Sequence, residues 1–175
     1  PIEFSEDLIT KSEALIPLDY NWEDLTHLPT YTIDDDDTLD RDDAFSIDEY
    51  NRHIWVHITA AASTIDSGSI FDLEADNRMC SVYLPEMTIP MLPTPISENI
   101  STLQHGSRRL CLSLRLDLDE NSNLIRHSFV KTVIETNESL TYTVADNIFN
   151  DSTEELHDVL SKLEEFTTKS RSERE

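Results

Sequence analysis

The sequence of 175 residues carries a formal net charge of −23, with 38% hydrophobic and 28% charged residues. Such a composition is typical of a globular chain with room for one sizeable core. No apolar run reaches the ~20 residues of a membrane span, and no secretory signal precedes the first elements. A surface that grips a nucleic acid backbone is basic, so this acidic chain is not expected to provide one by itself.

The first half of the chain contains signals for two helices and one hairpin. Ser5 is a typical N-cap residue, and it precedes the start of a short helix. Residues 44–47 and 53–58 alternate in the way of strands around a polar turn, which predicts a β-hairpin. Helical spacing of the apolar residues follows over 69–79.

The second half begins with residues 82–95, which hold four of the seven prolines and are expected to form an extended, ordered loop. Residues 110–118 and 124–135 alternate on either side of a polar turn, which predicts a second hairpin. Helical segments are predicted over 97–103, 144–149 and 153–168. The fold class that follows is α+β, a mixed or antiparallel sheet with hairpins flanked by helices.

Two cysteines and a pair of arginines have simple interpretations. Cys80 and Cys111 lie in no zinc-binding spacing, so two free thiols are favoured over one disulfide. Arg108 and Arg109 have the chemistry to contact phosphate, but salt bridges within this acidic chain are the favoured prediction.

The most informative feature is a run of seven aspartates within ten residues: Asp34, Asp35, Asp36, Asp37, Asp40, Asp42 and Asp43. Each pair of like charges in contact costs about 1 kcal/mol or more near a surface, so the group must be solvated or neutralised by cations. Mg²⁺ prefers carboxylates together with phosphate oxygens, and a pair of such ions can hold a phosphodiester for hydrolysis.

Two other interpretations of this run remain open at the level of composition. Acidic runs are commonly solvated surface loops. A calcium loop of the EF-hand type needs a glycine after alternating acidic residues, whereas Thr38 interrupts the pattern here. Strand-like residues on both sides place the run within a sheet region, which favours a built metal site.

The spacing of four aspartates resembles the signature of the ribonuclease II/R catalytic domain, also called the RNB domain. After a Thr-Ile-Asp start, that family places aspartates at offsets of zero, six, eight and nine, which correspond here to Asp34, Asp40, Asp42 and Asp43. Further blocks match in the same order: Val56-His57-Ile58, Ser81-Val82-Tyr83-Leu84-Pro85, Ile89-Pro90-Met91-Leu92-Pro93, Ser101-Thr102-Leu103 and Leu140-Thr141-Tyr142.

The resemblance implies a magnesium-dependent hydrolase, with manganese as a possible substitute, that degrades single-stranded RNA processively from the 3′ end to nucleoside 5′-monophosphates. Asp34, Asp40 and Asp43 would hold or orient the metal, and Asp42 would be the aspartate most critical for the chemical step. Tyr83 would stack on nucleotides near the RNA 3′ end; a buried aromatic role is its alternative. Asp35, Asp36 and Asp37 fall between matched positions and are expected to face solvent.

The resemblance also sets the expected organisation of the protein. Residues 1–21 would be a lead-in, and residues 22–175 the N-terminal half of the catalytic domain, inactive by itself. A second half with a critical arginine, and basic RNA-binding domains, are expected elsewhere in the parent chain. The expected compartment is the cytoplasm or an organelle stroma or matrix, with no membrane partner.

A second hypothesis is a non-catalytic RNA-binding or scaffolding relative of the same family. Ala60 stands where the family usually has an aspartate, which removes one carboxylate near the site. All four aspartates of the spaced set are present, and this favours the enzyme.

Overall fold

The computed structural model describes residues 2–16, 21–48 and 52–172. A seven-stranded mixed sheet forms its centre, with strand order β1-β8-β7-β4-β3-β2-β9, beside a separate ribbon of β5 and β6. The strands are β1 Glu23–Asp24, β2 Thr30–Asp34, β3 Asp43–Ile47, β4 His53–Thr59, β5 Val82–Tyr83, β6 Thr88–Ile89, β7 Arg108–Leu118, β8 Leu124–Glu135 and β9 Glu138–Thr141. The α-helices are α1 Glu6–Glu13, α2 Ile70–Arg78, α3 Tyr142–Asn150 and α4 His157–Ser172. The predicted α+β class is confirmed.

Both predicted hairpins are present as antiparallel pairs, β3 with β4 and β7 with β8. Successive side chains of each strand point to opposite faces of the sheet. A slip of one residue would move the apolar side chains to the wrong face, and this fixes the strand register. In the first pair Ala44 lies opposite His57. Residues 49–51 of the predicted first turn lie outside the described residues.

The helices follow the sequence with one clear exception. Ser5 accepts a hydrogen bond from the Leu8 N–H and caps α1, as predicted. The second C-terminal helix begins at His157, so its predicted start at residue 153 is wrong. The Asp151 carboxylate accepts hydrogen bonds from the Thr153 N–H and hydroxyl, which forms a turn in place of the first helical residues.

The proline-rich segment is an extended loop that carries the short ribbon of β5 and β6. The helical turn predicted after it is a π-helical turn over Ile96–Ile100. Two parallel pairings were not predicted, β1 with β8 and β2 with β9. Cys80 is exposed and Cys111 is buried, and both are free thiols.

The helices α3 and α4 cover one face of the sheet with apolar side chains. Phe45 and Leu140 pack there with Leu160, and Ile54 packs with Phe166. This burial is the main source of stability for a helix of ordinary propensity. Within the described residues no helix is long and apolar enough to cross a bilayer.

The opposite face holds a line of polar side chains across five strands, which we term the polar row: Thr30, Ser46, His57, Ser113 and Thr132. Every member is fully buried. Consecutive members are hydrogen bonded at 2.8, 3.0, 2.6 and 2.6 Å. The row therefore ties β2, β3, β4, β7 and β8 together through side chains as well as through the backbone.

Candidate metal and RNA site

The four spaced aspartates lie at one end of the sheet because of how β2 and β3 pair. Asp34 is the last residue of β2 and Asp43 the first of β3, and the two strands are antiparallel neighbours. We term residues 34–43 the acidic loop. Its last turn is anchored to β4, since the Thr59 N–H donates to the Asp42 carbonyl at 2.9 Å.

Asp34 is a largely enclosed carboxylate at the start of the loop. Only 16% of its side chain is exposed, and the nearest cation is the Arg41 guanidinium, with Nε at 3.5 Å from Oδ2. Oδ2 itself is buried and has no hydrogen-bond partner among the described residues. Burial raises the pKa of Asp34, and the nearby Thr32 hydroxyl and Arg41 guanidinium only partly oppose the rise.

Asp42 responds to both burial and charge. The residue as a whole is exposed, yet surrounding protein atoms remove enough water from the carboxylate to raise its pKa. The negative charges of Asp40, Asp43 and Asp34 raise this pKa further, in that order of size. These carboxylates are therefore close enough to repel one another, and a divalent cation would relieve that repulsion.

Tyr83 is placed beside the loop by the ribbon of β5 and β6. Its hydroxyl donates a hydrogen bond to Asp40 Oδ2 at 2.7 Å, and 63% of the residue is exposed. The alternative of a core aromatic is therefore wrong. The hydrogen bond to Asp40, followed by desolvation, raises the pKa of Tyr83, and the aromatic ring remains free for contact with a ligand.

The remaining aspartates of the run behave differently from Asp34. Asp35, Asp36 and Asp37 are all exposed, as predicted for extra acidic residues between the matched positions. Asp43 is also exposed at the start of β3, opposite Ile58 of β4. Ala60, where the resemblance led us to expect an aspartate, donates its N–H to the Leu110 carbonyl at 2.8 Å and brings no side-chain ligand.

The donor chemistry of the loop suits a hard divalent cation. Carboxylate oxygens are the ligands that Mg²⁺ prefers, and an enclosed oxygen without a hydrogen-bond partner is available on Asp34. Within the described ranges, no three acidic, histidine or cysteine side chains are gathered closely enough to enclose an ion. The predicted ligands Asp34, Asp40 and Asp43 therefore share one loop, and a bound cation would have to draw their side chains together.

Two sets of contacts that shape the loop were not predicted from the sequence. Thr102 is hydrogen bonded to the backbone on both sides of Asp40. Arg108 pairs with Glu135 as predicted, but the Arg109 guanidinium donates to the carbonyls of Thr102 and Asn99. The expected salt bridge of Arg109 is thus replaced by contacts with main-chain carbonyls, and no local pattern signals this because the partners lie on another segment.

Comparison with known proteins places this geometry in a family. The sequence profile of the RNB domain matches residues 22–175. The chain belongs to the RNB domain family. Ribonuclease R of Mycoplasmopsis pulmonis is 35% identical over 156 residues, which cover 85% of this chain and 22% of that protein. The human exosome complex exonuclease RRP44 is 32% identical over 163 residues, covering 88% of this chain and 17% of that protein.

Solved structures show the same RNB fold. Mycoplasma genitalium RNase R, in complex with ribose methylated single-stranded RNA, superposes with a TM-score of 0.80 at 21% identity, covering 93% of this chain and 27% of that one. Yeast Ssd1, described as a pseudonuclease, superposes with a TM-score of 0.73 at 20% identity, covering 87% of this chain and 20% of that one. This chain thus spans about a quarter or less of the length of these relatives.

Proposed function

We propose that the intact protein is a magnesium-dependent exoribonuclease that hydrolyses single-stranded RNA from the 3′ end, processively, to nucleoside 5′-monophosphates. The observation that carries the proposal is the spaced set Asp34, Asp40, Asp42 and Asp43 on one loop of an RNB domain. Mg²⁺ would be the cofactor, with Mn²⁺ as a substitute, and the protein would act in the cytoplasm or an organelle stroma or matrix.

Each residue of the site has a stated task in this proposal. Asp34, Asp40 and Asp43 hold or orient the cation, which when bound neutralises charge on the phosphodiester. Asp42 acts in the chemical step, at a position fixed by the hydrogen bond from the Thr59 N–H. Tyr83 offers an exposed ring on which a base can stack without regard to sequence.

The net charge of the chain argues that other parts of the protein bind the RNA backbone. With a net charge of −23, these 175 residues repel a phosphate backbone unless cations intervene. We therefore place the basic RNA-binding surface, and the second half of the catalytic domain, outside this stretch. The stretch by itself would hold the cation and orient the RNA end but lack turnover.

The second candidate function is that of a non-catalytic RNA-binding or scaffolding protein. Ala60 favours it, because a carboxylate usual in the family is missing beside the acidic loop. The fold does not discriminate, since a protein described as a pseudonuclease shares it. The four retained aspartates favour the enzyme, because a binding role gives no reason to keep mutually repelling carboxylates at this spacing.

The test is hydrolysis of a 5′-labelled single-stranded RNA by the intact protein with and without Mg²⁺. We expect shortening from the 3′ end, release of 5′-monophosphates, and loss of both when the cation is chelated. Asp42→Asn should lower turnover by roughly 100-fold or more, as for loss of a group that acts in the chemical step, while RNA binding stays nearly unchanged.

The matched control is Asp37→Asn, which removes the same charge from an exposed position of the same loop. Its turnover should stay within about 2-fold of the parent, since surface changes away from a site have small effects. Equal turnover by Asp42→Asn and the parent would contradict the proposal. RNA binding without any hydrolysis by the parent would support the non-catalytic candidate instead.

A further inference from the structure

A fully buried threonine grips the acidic loop on both sides of Asp40. The Arg41 N–H donates to Thr102 Oγ1 at 2.9 Å, and the Thr102 hydroxyl donates to the Leu39 carbonyl at 2.8 Å. One hydroxyl thus uses both its acceptor and its donor capacity on the residues that flank Asp40. These two hydrogen bonds fix the backbone from which the Asp40 carboxylate projects.

A third hydrogen bond extends the same grip. The Leu103 N–H donates to the Arg41 carbonyl at 2.9 Å, and Leu103 is fully buried beside Ala44 and Trp55 in a core cluster. The segment that contains Thr102 is therefore anchored in the core. Through the Leu103–Arg41 hydrogen bond, this segment anchors a loop whose own side chains are mostly exposed.

Arg109 supports this segment from the far side. Its guanidinium donates to the carbonyls of Thr102 at 2.8 Å and Asn99 at 2.7 Å. Arg109 lies on β7, near the centre of the sheet order, so the support comes from a rigid element. The contacts run from β7 through Arg109 and Thr102 to the backbone around Asp40.

We infer that Thr102 is a positioning residue for Asp40, and through it for the divalent cation of the proposed site, with Arg109 as its support. This inference rests on the proposed function for the identity of the ligand. Without the Thr102 hydroxyl, the Arg41 N–H and the Leu39 carbonyl lose their shared partner, and the segment around Asp40 becomes freer to move. Partners that orient a metal ligand typically change metal affinity by 10–100-fold when they are removed.

The test uses the intact protein, with Mn²⁺ as the probe and electron paramagnetic resonance to count free and bound ion. Thr102→Val removes both hydrogen bonds at nearly constant volume, and should weaken Mn²⁺ binding roughly 10-fold. Thr102→Ser retains the hydroxyl and should restore affinity to within about 2-fold of the parent.

The matched control is Thr136→Val. Thr136 is also fully buried, and its Oγ1 has no hydrogen-bond partner among the described residues, so the same substitution removes no hydrogen bond. Its Mn²⁺ affinity should equal that of the parent. Should Thr102→Val fail to fold, Arg109→Gln takes its place, since it leaves the hydroxyl but removes the contacts behind it; a weaker loss, about 3-fold, is expected.

A second measurement reports the grip directly and does not depend on metal. Hydrogen exchange of the Arg41 amide should accelerate about 10-fold in Thr102→Val, while the exchange of core amides in β7 stays unchanged. Unchanged Mn²⁺ affinity in a folded Thr102→Val variant would overturn the positioning role alone. Absence of Mn²⁺ binding by the parent would overturn the proposed function. In that case the hydrogen-exchange rate of the Arg41 amide would still show whether Thr102 holds the loop.

Discussion

The polar row and the acidic loop share strands β2 and β3, and their side chains are in opposite environments. In the polar row each side chain is buried and hydrogen bonded to the next. In the acidic loop most side chains are exposed, and the enclosed oxygen of Asp34 has no hydrogen-bond partner among the described residues. A satisfied buried network serves the architecture, whereas the Asp34 oxygen is available to a ligand.

The donors along the polar row settle the form of its histidine. The Thr30 hydroxyl donates to the Leu28 carbonyl, so it accepts from Ser46, which in turn accepts from His57 Nε2. His57 Nδ1 then accepts from the Ser113 hydroxyl, and Ser113 accepts from the Thr132 hydroxyl, since the Cys111 carbonyl at 3.5 Å is too far from Thr132 Oγ1 to compete. This order of donors assigns the neutral Nε2–H tautomer, and burial lowers the pKa of His57 to about 4.

The largest effect that separates the two regions is a loss of stability in acid caused by His57. Its pKa falls from 6.5 to about 4 on folding. Between these values the unfolded chain binds the proton and the folded chain does not, so the free energy of unfolding falls as pH falls through this window. At 1.36 kcal/mol per pKa unit the loss is on the order of 3 kcal/mol.

Protonation of the acidic loop has the opposite effect on the free energy of unfolding. Asp34 and Asp42 have raised pKa values, so the folded chain takes up their protons first and gains stability as pH falls through the range just above 3.8.

Urea unfolding over a pH series measures the combined effect of His57 and these carboxylates on the free energy of unfolding, and NMR of the imidazole isolates the titration of His57. His127→Gln, which removes an exposed imidazole of the same sheet, is the control. A His57 ring that titrates near 6.5 in the folded protein would remove the proposed role of the polar row.

The next largest effect is on RNA affinity and concerns Tyr83, which is hydrogen bonded to Asp40 of the acidic loop. Tyr83→Ala should weaken single-stranded RNA binding by about 1–3 kcal/mol, the usual contribution of one base stacked on an aromatic ring. Tyr83→Phe keeps the ring and should bind nearly as the parent does. Fluorescence anisotropy of a labelled oligonucleotide measures both variants.

The control for this ring is Phe129→Ala. Phe129 is also exposed, at 68%, and lies on β8, which β7 and β4 separate from β3. Equal weakening in the Tyr83 and Phe129 variants would show that general surface contacts, and not a ring beside the acidic loop, contribute the binding.

The smallest effect is a gain in stability on removal of one carboxylate. Without divalent cations, Asp42→Asn should raise the free energy of unfolding by at most about 0.5 kcal/mol, because it removes a partly desolvated, repelled charge that solvent screens at this exposed residue. Millimolar Mg²⁺ should stabilise the parent more than this variant, since a ligand stabilises the state that binds it. A destabilised Asp42→Asn would mean that the loop carboxylates support the fold, as the polar row does.

Local patterns explain why much of the fold was predictable. Both hairpins combine alternation of apolar residues with a polar turn, so the signal and the partner lie in one stretch of sequence. The pairing of Glu23 with Thr132 joins segments far apart in sequence, and a two-residue strand carries no period of its own. Its existence depends on tertiary packing and was therefore missed.

The site shows the same division between local and distant information. The spaced aspartates lie within ten residues of sequence, so their presence on one loop was predictable. Thr102 was recognised only as part of a matching block, because its contacts with Leu39 and Arg41 cross about 60 residues of chain. His57 appeared as one polar residue in an alternating strand, and nothing nearby indicated hydroxyl groups on both sides of its ring.

The most direct test of the central claim compares two single carboxylates of the acidic loop. Mn²⁺ binding to the intact protein is measured for the parent, Asp40→Asn and Asp37→Asn, which change the charge equally and lie three residues apart. If the spaced set holds the cation, Asp40→Asn weakens binding by at least about 10-fold and Asp37→Asn by less than about 2-fold. Equal losses in the two variants would mean that the loop attracts cations only through its total charge, and would contradict the account.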